Sequence, residues 1–302
     1  MPTLRLGTRK SALAQAQANW VADQLRQSQP DFAVELVLIT TTGDQHKGEL
    51  PAKGGLKAQF TKEIEEALLD KRIDLAVHSL KDMAAELPPG LTIGAVPLRE
   101  DPRDAWISRT NLPFEMLPRG SKIGTGAVRR QAQLKHLRPD LEFVPIRGNV
   151  DTRLRKLQDS GLDGIILALA GLKRLGRERE VTEILSTDLL LPAVGQGCLA
   201  LEYRENDRDV VRATSPLDHP PSHQAALAER AFLKAMGGSC QTPLAAYATL
   251  SRGTLSMTGF VSDPFGKKTL RDTVQGTVDQ AETLGQRLAE KLLGSGGKAL
   301  LS

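Results

Sequence analysis

Short apolar runs alternate with amphipathic stretches through the first two-thirds of the chain, and this alternation limits the fold more than any other feature. Leu4–Gly7, Val34–Thr41, Ile73–Val77 and Leu91–Val96 have strand length and strand composition. Between them, Ser11 can cap a helix running to about Gln27, with Leu13, Ala16, Trp20 and Leu25 as its apolar side. Phe60, Ile64, Ala67 and Leu68 recur at helical spacing. This order predicts an α/β unit with a mainly parallel sheet. A second unit follows, with strands at Ser121–Gly124, Leu141–Ile146 and Gly164–Ala168 and helices at Val128–Leu137 and Val150–Ser160.

Pro97–Arg103 reads as a crossing between the units, and Leu191–Gln196 as a second crossing by which the chain returns. Two crossings predict a hinge with a cleft between two lobes. The remaining sequence has another character. Ser222–Met236 reads as a helix capped by Ser222, and Leu244–Leu250, Leu255–Val261 and Lys268–Val278 alternate like strands. Ala281–Leu293 closes the chain as a helix, and Gly294–Gly297 reads as a flexible tail linker. The expected division is therefore 1–97 with 198–217, then 98–197, then a small α+β domain at 218–302. Gly43–Ala58 is long, polar and Gly-rich, which suits a mobile lid.

With 40 Lys and Arg against 36 Asp and Glu, the net charge of +4 does not by itself imply a nucleic-acid partner. Aromatics make up only 4%, too few for a base-stacking platform. No apolar run reaches the ~20 residues of a membrane span. The start, MPTLRLGTRK, lacks the apolar core of a signal peptide. Cys198 and Cys240 are too few for a disulfide framework, so a reducing cytoplasm is the expected compartment. Cys198 opens an apolar stretch and reads as a small buried hydrophobe. Cys240 sits in a tight turn, GGSCQTP, where a thiol can react.

Basic residues recur where strands end. Arg9 follows the first strand, Lys81 the strand Ile73–Val77, and Arg129 and Arg130 follow Ser121–Gly124. Arg147 follows Leu141–Ile146, Arg153 lies in the next helix, and Lys173 and Arg174 follow Gly164–Ala168. In open α/β sheets the carboxyl ends of the strands face the ligand crevice, so one recurring position sends cation after cation to one cleft. Arginine suits planar recognition of carboxylate or phosphate, and the pattern predicts a polyanionic ligand. Gly124–Arg130 opens a helix whose backbone N–H groups can hold an anion, yet a complete dinucleotide fingerprint would need glycine at position 129. Asp82, beside Lys81, can stay ionised in a cleft and stabilise a cation or shuttle a proton. The histidines form no metal-ligand pattern. His78 and Ser79 are adjacent on a strand and point to opposite faces, which argues against a nucleophile–base pair.

Taken together, the segments resemble the porphobilinogen deaminase family over nearly the whole chain. The matching stretches are GTRKSALA (7–14), DLAVHSLKD (74–82), REDPRDA (99–105), GTGAVRRQ (124–131), RGNVDTRL (147–154), ILALAGLKRLG (166–176), LPAVGQG (191–197) and GGSCQTP (237–243). The resemblance implies two hinged α/β domains like those of periplasmic binding proteins, followed by a small α+β domain. It implies a dipyrromethane cofactor in thioether linkage to Cys240, and Asp82 as the catalytic aspartate. It places Arg9, Ser11, Lys81, Asp82, Thr125, Gly126, Ala127, Arg129, Arg130, Arg147 and Gly148 on the cofactor. Arg9, Arg147, Arg153, Arg174, Gln196 and Phe60 fall on the substrate side, and Asp44, Lys53, Lys57 and Phe60 in the lid.

The activity it implies is a transferase of tetrapyrrole biosynthesis. Four porphobilinogen molecules are joined with loss of ammonia into hydroxymethylbilane, by a monomeric enzyme with no nucleic-acid or membrane partner. Loss of ammonia leaves a cationic azafulvene that an anchored carboxylate would stabilise. The chain departs from the family at Gly126 and Ala127, where many relatives have serines. Its lid reads GGLKAQF where GGKGLF is commoner, and Gly-Ser rather than Gly-Gly precedes Cys240. The competing reading is a non-catalytic, two-lobed anion-binding protein, which would leave Cys240 unexplained.

Overall fold

Helix α1 (Ala12–Ser28) lies against a sheet that begins with β1 (Thr3–Arg9) and β2 (Ala33–Ile39). Ser11 is extended and its Oγ accepts from the N–H of Ala14, so the helix starts where the sequence places it. The buried face is Ala18, Val21, Ala22 and Leu25, packed on Leu4, Leu6 and Leu75. Trp20 was expected on the apolar side but is 44% exposed. The small side chains of Ala18 and Ala22 let the helix approach the sheet closely, and at 3.6 residues per turn Trp20 then faces outward.

The computed structural model describes residues 2–45, 58–238 and 242–301. After β2 come α2 (Thr42–Gln45), α3 (Ala58–Leu69), β3 (Leu75–Ser79) and β4 (Leu91–Ala95). The chain then crosses to β5 (Asp104–Ser108) and continues through β6 (Lys122–Gly124), α4 (Val128–Leu137), β7 (Glu142–Val144) and α5 (Val150–Asp159). Next are β8 (Gly164–Ala168), α6 (Leu169–Arg174) and β9 (Glu183–Leu185). It crosses back into β10 (Leu199–Arg204) and α7 (Arg208–Thr214). Helix α8 (Pro220–Ala235), strands β11 (Leu244–Ser251), β12 (Thr254–Ser262) and β13 (Thr269–Thr277), and helix α9 (Ala281–Gly294) complete it.

The two large sheets share one plan. Their orders are β2-β1-β3-β10-β4 and β7-β6-β8-β5-β9. In each, the fourth strand runs antiparallel to both neighbours, and the remaining pairs are parallel. Those odd strands, β10 and β5, are the ones the chain enters straight after each crossing. The sequence reading placed no strand at β5, β9 or β10: the first abuts the expected crossing, the second has three residues, and the third reads only as an apolar stretch after Cys198. The third sheet, β11-β12-β13, is fully antiparallel and packs on α8 and α9 through Phe232, Met257, Leu284 and Leu288.

Two expectations in the third unit need correction. Helix α8 starts at Pro220, with His219 as its cap accepting from the N–H of Ser222. Two prolines suit a first turn, where their missing N–H groups have no helical partner, so the start moves ahead of Ser222. The tail glycines are not a loose linker. Gly297 is buried in a one-turn helix, and a Cβ there would stand 2.6 Å from the carbonyl oxygen of Leu292.

The crossings run beside each other. The N–H of Glu100 donates to the carbonyl of Gly197 at 3.2 Å, and the Arg99 Nε–H donates to the carbonyl of Gln196 at 2.8 Å. Gly197 has φ +90, and a Cβ would lie 2.3 Å from the carbonyl oxygen of Glu100, so only glycine lets the two segments approach.

Candidate functional site

Because β1 and β3 are parallel, their carboxyl ends open on one edge. That edge holds a recess lined by Arg9, Ser11, Phe60, His78, Ser79 and Asp82. The Arg9 guanidinium stacks over the Phe60 ring, 4.2 Å from its centroid. Ser79 and Gln17 are hydrogen-bonded at 2.8 Å, while His78 Nε2 meets Glu202 at 2.8 Å. The separate partners agree with the opposite faces expected for the two neighbours. Lys81 and Asp82 follow in a single turn, Leu80–Asp82, with Asp82 exposed to the recess.

The facing wall comes from the second sheet. Burial pushes the Lys81 ammonium down to about 8, with Arg130 and Arg129 adding repulsion and Asp82 and Asp104 opposing it. Burial also lowers Arg153, Arg130 repels it further, and Asp82 counters. Lys81, Asp82, Arg130 and Arg153 therefore feel one another across the cleft. This is a cluster of cations with too little negative charge around it. Arg153 lies in the first turn of α5 and donates through Nε to the carbonyl of Gly148 at 2.7 Å. Arg147 and Gly148 are exposed at the same loop.

Arg129 and Arg130 begin α4 and are buried. Both bind Asp104, the first residue of β5, at 2.8 and 2.7 Å. Arg129 also donates to the Gln196 Oε1 at 2.9 Å and to the carbonyl of Leu191 at 3.0 Å. Gln196 Nε2 donates to Asp104 at 2.9 Å and to the carbonyl of Pro102. Burial alone would raise the Asp104 carboxyl, but the two guanidiniums outweigh it and hold it well below the usual range. Arg174 donates to the carbonyl of Gly197 at 2.7 Å, which places it at the crossing. Lys173 pairs with Glu100 at 2.7 Å.

Thr125 is buried and its Oγ1 accepts from the N–H of Ala127 at 3.3 Å. Ala127 caps α4 in extended conformation with no side-chain hydrogen bond. At Gly126 a Cβ would stand 2.7 Å from the carbonyl oxygen of Ile146, so a serine there requires the backbone to shift. The departure at Gly126 is thus built into the local packing.

Sequence reasoning missed Asp104, although it stands in REDPRDA as an acid opening an apolar run. It also missed Arg99 and Glu229, paired at 2.6 Å with both side chains buried. Glu229 accepts as well from the N–H groups of Gly195 and Ala248, so α8 is tied to the second crossing and to β11. Cys198 is free and buried, and burial pushes its thiol up to about 11, which suits an inert side chain. Cys240, Lys53 and Lys57 lie outside the described residues, as do most of the expected lid and the side chain of Asp44. Among the described residues no group of His, Cys, Asp and Glu could hold a metal ion.

The profile described as "Porphobilinogen deaminase, dipyromethane cofactor binding domain" matches residues 4–212, and that of "Porphobilinogen deaminase, C-terminal domain" matches 223–294. The chain is 50% identical over 299 residues to the porphobilinogen deaminase of Syntrophotalea carbinolica, covering 99% of this chain and 95% of that one. It is 51% identical over 298 residues to that of Trichlorobacter lovleyi, again covering 99% and 95%. Among solved structures it is similar to the methionine binding protein MetQ, at 12% identity, over 76% of this chain and 91% of that one, with a TM-score of 0.45.

Two outcomes follow from the second wall. Ala127→Ser supplies the missing cap and should add about 0.5–2 kcal/mol to stability in urea unfolding; no gain would mean that α4 does not begin there. Asp104→Asn strands two buried cations and should cost about 3–5 kcal/mol at pH 7. The folded carboxyl titrates below its ordinary 3.8. Its contribution is therefore complete above that pH and is lost as pH falls further. Unfolding midpoints measured from pH 7 to pH 2 should show parent and variant converging in acid, and a constant gap would contradict the ion-pair origin.

Proposed function

We infer, since the chain belongs to the porphobilinogen deaminase family, that it is the transferase joining porphobilinogen units into hydroxymethylbilane with loss of ammonia. The observation that carries this reading is the crowd of cations at Lys81, Arg129, Arg130 and Arg153 against two carboxylates, Asp82 and Asp104. Each porphobilinogen ring brings an acetate and a propionate, so the ligand supplies the negative charge the cleft lacks. The same surplus fits the dipyrromethane, itself a polycarboxylate. When bound, that group supplies the pyrrole carbon on which the first substrate is placed.

The chain's own residues divide the remaining work. Arg9, Ser11, Lys81 and Asp82 bind from the first wall. Thr125, Gly126, Ala127, Arg129, Arg130, Arg147 and Gly148 bind from the second. Arg153, Arg174, Gln196 and Phe60 complete the substrate side. Each charge-assisted contact to a carboxylate contributes about 1.5–3 kcal/mol. Arg129 and Gln196 act from within the Asp104 network and hold the second wall to the crossings. Asp82, exposed in the recess, stabilises the azafulvene cation left when ammonia departs. Cys240 anchors the dipyrromethane.

The domain division 1–97 with 198–217, 98–197 and 218–302 is supported by the three sheets. Among the described residues no helix is long and apolar enough to cross a membrane. The shortage of cysteines favours a cytoplasmic enzyme, the shortage of aromatics one without a nucleic-acid partner, and a monomer is what the family resemblance implies.

Intact-protein mass tests the reading. The parent should carry a dipyrromethane, and Cys240→Ser should fold without it; an adduct mapped to Cys198 would overturn the anchor. Asp82→Asn keeps the size of the side chain and loses its charge. Turnover per dipyrromethane-loaded enzyme should fall ~10²–10⁴-fold, and turnover within a few-fold of the parent would assign the chemistry elsewhere.

A further inference from the structure

A second protonable pair stands in the wall of the Asp82 recess. His78 is only 6% exposed, yet it lines that recess together with Asp82. Its Nε2 lies 2.8 Å from Glu202 Oε2, and Glu202, on the neighbouring strand β10, is fully buried. Ionised carboxylate can only accept, so the contact makes Nε2 the protonated nitrogen. Among the described residues Nδ1 has no partner. In the neutral ring it is therefore a lone-pair acceptor, on a residue that lines the recess. Other charged groups face the pair from three elements. Glu65 of α3 feels both His78 and Glu202, Arg230 of α8 feels Glu202, and Arg9 of β1 shares the recess. Among the described residues the second oxygen of Glu202 has no partner, which leaves this carboxylate with capacity to stabilise a positive ring beside it.

Resting on the function proposed above, we propose that His78 is the proton acceptor of the coupling step and that Glu202 is its positioning residue. The chemistry asks for two tasks. When one porphobilinogen unit adds to the one before it, the azafulvenium carbon bonds to the free α-carbon of the preceding pyrrole. That α-carbon then gives up its hydrogen as a proton, and the electron pair of the C–H bond restores the aromatic ring. One proton is released per coupling. If Asp82 took it, the carboxylate would be neutral when the next cation forms. A separate acceptor lets Asp82 keep its charge. Neutral His78 takes the proton at Nδ1, becomes a cation facing Glu202, and returns the proton to water before the next unit arrives. The arrangement is the base-and-orienter pairing used widely in proton transfer.

The test uses dipyrromethane-loaded enzyme and porphobilinogen deuterated at its free α-carbon. In the parent, deprotonation is fast and kcat should show no isotope effect. In His78→Gln, kcat should fall ~10²-fold or more with KM little changed, and a normal isotope effect should appear because C–H cleavage has become slow. The acidic limb of the kcat–pH profile should vanish in His78→Gln. In Glu202→Gln it should move to lower pH, because the protonated ring has lost its counter-charge. If His78→Gln does not fold, Glu202→Gln carries the same comparison through its pH profile and isotope effect. Turnover of His78→Gln near the parent's, or a fall with no isotope effect, overturns the proposal. An isotope effect in Asp82→Asn with none in His78→Gln assigns the proton to Asp82 and leaves the proposed activity standing. Failure of the parent to consume porphobilinogen would overturn that activity itself.

Discussion

The carboxylate of Asp104 holds the second wall of the cleft together. Two guanidiniums cannot be buried side by side without a counter-charge, because each loses its hydration and repels the other. Asp104 meets both, and Gln196 and the carbonyls of Pro102 and Leu191 take up further donors and acceptors. Those partners come from the start of β5 and from both crossings. The helix that presents Arg129 and Arg130 is therefore fixed to the segments about which the two sheets meet. A binding surface and its hinge share one network.

A similar pairing joins the third unit. Arg99 of the first crossing and Glu229 of α8 form a buried pair, and Arg99 also stacks over Tyr247, 4.9 Å from its ring centroid. Burial would depress Arg99, but Glu229 reverses this and raises it. The two carboxylates thus tie β5, α4, α8 and β11 to the two crossings. In the cleft itself the balance is left incomplete. Asp104 pairs with Arg129 and Arg130; Asp82 and Asp104 together oppose the crowding of Lys81 by these arginines, and Asp82 opposes that of Arg153 by Arg130. A ligand bearing many carboxylates would complete what the protein leaves open.

Much of this was legible along the chain. The strands β1, β2, β3, β4, β6, β7 and β8 and the helices α1, α4 and α5 appear close to where periodicity puts them. Cations at strand ends led to the cleft because parallel strands share an edge. What periodicity does not reach is pairing over long sequence separation. Asp104 and Arg129 are 25 residues apart, Arg99 and Glu229 130, and His78 and Glu202 124. A lone acid at the head of an apolar strand carries no local mark of its partner. Short elements such as β9 escape for a related reason, since three residues hold too little pattern.

The sequence by itself determined the fold class, the family and the set of cations and carboxylate from which a site could be made. These rest on local propensities and on the order of motifs, both of which are properties of the chain read in one dimension. Tertiary structure decided how those groups are used. It assigned Arg129 to Asp104, Arg174 to the carbonyl of Gly197, and left Lys81, Arg153 and Asp82 facing one another. It also closed Gly126 to a side chain. The reason is that burial and Coulomb interaction depend on distance in space, and the partners that set each charge arrive from strands the chain reaches only after crossing between sheets twice.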